Sequence, residues 1–95
     1  MKAKKYDIET NSYIEVEIIG KVRYIGKSFG VESLTNGKVY NVIGIENDML
    51  RVIDDSEEDY LYSITKPACL TDTSLCGKWE IVEDNKNKDL EKVIK

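Results

Sequence analysis

Five carboxylates in six positions are the densest chemistry in this 95-residue chain: Asp54, Asp55, Glu57, Glu58 and Asp59, followed by Tyr60 and Tyr62. Such a run concentrates negative potential. Next to aromatic faces it suits a lysine- or arginine-bearing peptide, held by charge and by cation–π attraction. The plainer alternative is a solvated hairpin tip that keeps strand edges from pairing with one another. In a wet turn these carboxylates keep ordinary pKa values, which makes them poor general acids or bases at neutral pH. Their spacing also lacks the alternating acids, central glycine and distant glutamate of an EF-hand loop.

Catalytic sets are scarce. The chain has no histidine, which excludes Ser–His–Asp and Cys–His machinery and histidine-based zinc sites. Cys69 and Cys76 are not spaced as a CxxC redox or zinc motif. Lys66 and Lys78 lie near them in sequence and would favour a thiolate, but the plainer reading is a pair of inert loop thiols, free in a reducing compartment. Gly26, Gly30 and Gly37 are spaced for turns and not for a phosphate-binding loop. The expectation is a protein that binds and does not catalyse, with no cofactor and no metal.

Charge narrows the partner. The net charge is −4, and residues 31–60 hold two basic and eight acidic side chains, against six and four in residues 1–30. That balance lacks the basic footprint phosphate neutralisation requires. A protein or peptide is therefore the expected partner, and nucleic acid is disfavoured. No apolar run is long enough to span a bilayer, and the basic start at residues 1–5 is not followed by the apolar stretch of a signal peptide. A cytoplasmic protein is expected.

These side chains must be positioned by short strands. Residues 12–19 alternate, with Ile14, Val16 and Ile18 on one face and Glu15 and Glu17 on the other. Gly20 is read as opening a hairpin into the next strand at residues 22–25, the other option being a kink in one long strand. Residues 26–37 form a Gly- and Ser-rich loop that ends on Asn36-Gly37, a pair suited to a tight turn. Strands follow at residues 38–45, whose two apolar faces a bulge near Gly44 or the sharp coiling of a small barrel would reconcile, at 49–53, at 60–64 and at 79–82. Of the aromatic residues, Tyr40 or Trp79 is expected in the core, and Phe29, in the loop, is either a core plug or an exposed contact. Leu90, Val93 and Ile94 sit at helical spacing in the tail, where Glu91 could pair with Lys95. The division is an N-terminal extension with one strand (1–19), a five- or six-stranded all-β unit (20–84) and a tail that is either a short docked helix or frayed (85–95).

Residues 22–84 resemble a family of small SH3-like barrel proteins of bacteria and phages. The resemblance is carried by Lys38-Val39-Tyr40, by Met49-Leu50-Arg51-Val52-Ile53-Asp54-Asp55, by Glu58-Asp59-Tyr60-Leu61-Tyr62 and by Gly77-Lys78-Trp79-Glu80-Ile81. It implies a small SH3-like antiparallel barrel and brings no catalytic residues. The expected function is recognition of a protein or peptide through Phe29, Asp54, Asp55, Glu57, Glu58, Asp59, Tyr60 and Tyr62. Three rivals stand beside it. One is an acidic phage or mobile-element inhibitor of a nucleic-acid-binding protein. Another is a nucleic-acid binder using Lys2, Lys4, Lys5 and Arg23. The third is a homodimeric assembly subunit pairing through residues 13–19 or the tail.

Overall fold

The computed structural model describes residues 2–26, 34–65, 67 and 77–94. Phe29, Lys66, Cys69, Cys76 and Lys95 lie outside them, and so do the expectations placed on those residues.

Two antiparallel sheets make up the fold. The first is a hairpin of β1 (Lys2–Asp7) and β2 (Ser12–Glu17). The stretch expected to hold one strand thus holds two. Lysine-rich β1 has little strand propensity of its own, and its register supplies the reason it forms. Lys2 lies opposite Glu17, Lys4 opposite Glu15, and Tyr6 opposite Tyr13, so alternate cross-strand pairs are charge-matched or aromatic. The rings of Tyr6 and Tyr13 meet edge to face at 5.5 Å. Asp7 closes the turn by accepting the Glu9 N–H and the Thr10 hydroxyl.

The second sheet has the order β6-β5-β4-β3-β7, built from β3 (Gly20–Ile25), β4 (Val39–Glu46), β5 (Met49–Ile53), β6 (Asp59–Ser63) and β7 (Lys78–Glu83). Four consecutive strands meander, and β7 returns to the far side of β3. A bulge is present, as a register shift between Val42 and Gly44 on the β4–β5 ladder. Alternate residues Val22 and Tyr24, Tyr40 and Val42, and Leu50 and Val52 fill one face with Trp79, Leu34, Ile64 and Leu90. Both Tyr40 and Trp79 are buried. Trp79 links the two ends of the sheet: its indole N–H donates to the Ser63 carbonyl at 3.1 Å, and its ring meets Tyr24 and Tyr62 edge to face. Among the described residues neither sheet closes into a barrel.

Gly20 does not make a hairpin turn between β2 and β3, contrary to the expectation. It is the first residue of β3 and pairs with Val42. A Cβ at this position would stand 2.5 Å from Leu90 Cδ1 and 2.6 Å from the Glu83 carbonyl oxygen. The glycine is there to let the tail approach. That tail docks through α1 (Asp89–Val93), with Leu90 fully buried and Val93 and Ile94 packed against the core. Asp84 accepts the N–H groups of Asn85, Leu90 and Glu91, so donors that so short a helix leaves open are satisfied.

Candidate functional site

The acidic run forms the β5–β6 turn, and its carboxylates divide into distinct environments. Asp54 is only 6% exposed. One of its oxygens accepts the Ser56 N–H and hydroxyl, and the other accepts the Tyr62 hydroxyl at 2.7 Å. Buried carboxylates are tolerated only when hydrogen-bonded in this way. The Glu57 N–H donates to the Asp54 carbonyl, and the Asp54 N–H to the Glu58 carbonyl. Asp54 is therefore the internal brace of the turn.

Asp55 faces the base of the loop between β3 and β4. It accepts Lys38 Nζ at 2.6 Å, the Thr35 hydroxyl at 2.8 Å and the Tyr40 hydroxyl at 3.0 Å. The Tyr40 hydroxyl in turn accepts the Thr35 N–H. Burial pushes the Asp55 carboxyl up, but its bonds from Lys38, Thr35 and Tyr40 outweigh that and hold it below the ordinary carboxylate range. Asp59 is handled likewise: burial raises it, and the bonds from Lys5 and Arg51 lower it further than that. Lys5 Nζ lies 2.5 Å from one oxygen and Arg51 2.8 Å from the other. Arg51 also pairs with Glu46.

The expectation of ordinary, solvated carboxylates fails for these residues. The side chain of Asp59 is 16% exposed and that of Lys5 is 18% exposed. The turn is wet only in part because the N-terminal hairpin lies against it. The half-buried residues Ala3, Lys5, Ile14 and Val16 share one face of that hairpin, and Lys5 reaches from this face to Asp59. The Tyr6 N–H donates to the Glu57 carbonyl at 2.8 Å. The Tyr13 hydroxyl donates to the Glu57 carboxylate at 2.5 Å, a bond that raises the Tyr13 pKa because ionisation would break it and set two anions together. Glu57 is left-handed, with φ of 70°, and in this conformation its carbonyl and its carboxylate both accept from the hairpin.

Glu58 is half-buried, and its carboxylate has no hydrogen bond or ion pair among the described residues. Tyr60 is 49% exposed. Tyr62 is turned inward, spending its hydroxyl on Asp54 and its ring on Trp79. The structure thus brings Asp54, Asp55, Glu57, Glu58, Asp59, Tyr60 and Tyr62 together around one turn, but only Glu57 and Tyr60 are exposed, with Asp55, Glu58, Asp59 and Tyr62 half-buried. Lys5, Tyr13, Lys38, Tyr40 and Arg51 are members of this site that the sequence alone does not assign to it: Lys5 is named only for a nucleic-acid rival and Tyr40 as a core candidate, and the other three are not singled out. For Lys5 a signal was available, the surplus of cations in residues 1–30 set against the deficit in residues 31–60.

No three histidine, cysteine or acidic side chains among the described residues are arranged to hold a metal ion. No helix of the described residues is long and apolar enough to cross a membrane. Cavities of ≈ 260 and ≈ 430 Å3 flank the tail and share no residue with the acidic turn. Neither protein-family models, nor curated proteins, nor solved structures give a match to the chain.

Proposed function

We propose that this chain is a non-catalytic binding module of SH3-like architecture that recognises a protein or peptide through its acidic turn. Support for the architecture comes from the strand order β6-β5-β4-β3-β7, from the long connection between β3 and β4, and from the Trp79–Ser63 bond that draws β7 toward β6. SH3-like barrels have this order of strands with the long connection after the first.

The observation that carries the function is what the turn already accepts. A lysine ammonium sits on Asp59, a phenol hydroxyl on the Glu57 carboxylate, and a main-chain N–H on the Glu57 carbonyl. These are the groups that an extended basic and aromatic peptide offers. Glu58 and Tyr60 lie alongside as further contacts.

The test measures binding of a fluorescent library of lysine- and arginine-rich peptides to the wild type and to a Glu58→Gln variant, Glu57 being left unchanged because its carboxylate also holds Tyr13 of the hairpin. Asp54, Asp55 and Asp59 are left in place because they brace the fold. Weaker binding by the variant is expected, with near-ultraviolet dichroism unchanged. Equal binding overturns the reading.

A further inference from the structure

We propose that the N-terminal hairpin is an autoinhibitory ligand of the acidic turn, and that a partner gains the turn by displacing it with a lysine-bearing extended segment. This rests on the reading of the turn as a peptide-binding surface and names both its partner chemistry and its control.

The hairpin is attached as a cover would be. Its two strands form a sheet of their own, paired to each other and to neither neighbour in the larger sheet. A two-stranded sheet is marginal by itself in water. None of its described side chains belongs to the core cluster or packs directly against it. Its hydrogen bonds to the turn run from Lys5 to Asp59 and from the Tyr6 N–H and the Tyr13 hydroxyl to Glu57. Such contacts exchange readily with equivalent ones from another chain, whereas a core side chain would leave a cavity behind.

The hinge is equally local. The Ile19 N–H donates to the Val42 carbonyl at 2.8 Å, and Gly20 begins the β3 ladder. Main-chain bonding to the body resumes at Ile19, two residues past the end of β2 at Glu17. Swinging about residues 17–18 frees the whole hairpin and disturbs no strand of the larger sheet.

The contacts also specify what replaces the hairpin. Lys5 and Tyr6 are adjacent, so one residue supplies an ammonium to Asp59 and the next supplies its N–H to Glu57. A competing segment needs a lysine in extended backbone followed by any residue other than proline. An aromatic hydroxyl from a paired strand would add the contact Tyr13 makes. While the hairpin is closed in most molecules, apparent affinity for such a segment is reduced by the small open fraction.

The test uses the full chain carrying Lys5→Ala and Tyr13→Phe, which weakens the cover and leaves every residue of the turn intact. Hydrogen exchange across residues 2–17 is expected to speed up while β3 to β7 stay protected. The library peptides should then bind about tenfold more tightly than to the wild type, and a synthetic peptide of residues 2–17 should compete with them. Faster exchange with unchanged peptide affinity overturns autoinhibition and leaves the binding reading standing. Unchanged exchange overturns it as well, because the named contacts then do not hold the hairpin. Peptide binding by neither protein overturns the underlying reading. Tyr13→Phe alone, read the same way, covers the case in which the double change loosens the body.

Discussion

Replacing Asp59 with Asn should loosen the N-terminal hairpin far more than it loosens the rest of the protein. Asp59 joins Lys5 of the hairpin to Arg51 of β5. A hydrogen bond to a charged group contributes about 1.5–3 kcal/mol when shielded and below about 1 kcal/mol when fully exposed. With side chains 16% and 18% exposed, the Lys5–Asp59 contact belongs between these limits, at about 1–2 kcal/mol. Arg51 keeps Glu46 at 2.5 Å, so the body loses less. The Tyr6 amide, which donates to Glu57, should therefore exchange about five- to thirtyfold faster, since roughly 1.4 kcal/mol is a factor of ten. The Tyr24 amide, which donates to Lys38 within the body, should change severalfold at most. Amide-resolved hydrogen exchange reads both. Equal factors at Tyr6 and Tyr24 would refute the idea of a separately opening hairpin.

Acid gives the same contact a sign. The folded state holds the Asp59 carboxyl below its ordinary value. Its contribution is thus complete above the unfolded carboxyl range near pH 4 and is lost as pH falls from there through the lowered folded value. Exchange at Tyr6 should accelerate over that window in the wild type, and the Asp59→Asn variant should lack that part of the acid step.

Further outcomes follow from the packing. Leu90→Ala removes a fully buried side chain and should lower urea stability by about 2–4 kcal/mol; a loss below about 1 kcal/mol would mean the tail is not docked. Gly20→Ala places a methyl group 2.6 Å from the Glu83 carbonyl and 2.5 Å from Leu90, and should cost about 1–3 kcal/mol. Adding Leu90→Ala should relieve only part of that strain, because the carbonyl remains; strict additivity of the two changes would count against the clash. Tyr40→Phe deletes the hydroxyl between Asp55 and the Thr35 N–H and should cost about 1 kcal/mol by urea titration. A neutral result would place that network outside the folding energetics.

Much of the larger sheet was legible from local pattern. The alternation of Leu50 and Val52, bounded by Asn47-Asp48 before and Asp54-Asp55 after, gives β5 its limits, Met49–Ile53. Apolar residues on both faces around Gly44 called for a bulge or for sharp coiling of the strand, and a bulge is there. The helical spacing of Leu90, Val93 and Ile94 marked a face that the core uses. What stayed hidden depended on partners distant in sequence. Lys2–Asp7 has no apolar alternation, and becomes a strand because Glu15, Glu17 and Tyr13 lie across from it. Gly20 has turn chemistry in isolation, and its actual role is set by Leu90, seventy residues away. Neither fact can be recovered from a window of neighbours.

The acidic turn shows the same limit in its electrostatics. A run of like charges is self-repelling when read alone, which makes solvent its natural surroundings. In the fold Asp55 takes Lys38, Asp59 takes Lys5 and Arg51, and Asp54 takes uncharged donors from Ser56 and Tyr62. Each carboxylate is relieved by a different element, so the run works as a junction of the hairpin, β5 and the β3–β4 connection. The proposed recognition and the stability of the fold therefore share this turn by position, and they separate by residue. Neutralising all five acids would remove the brace together with the surface, and any loss of binding would then have two causes. Glu58 is the acid whose change reports on the proposed recognition, Asp54 reports on the turn, and Glu57 and Asp59 report on whether the hairpin is held against it.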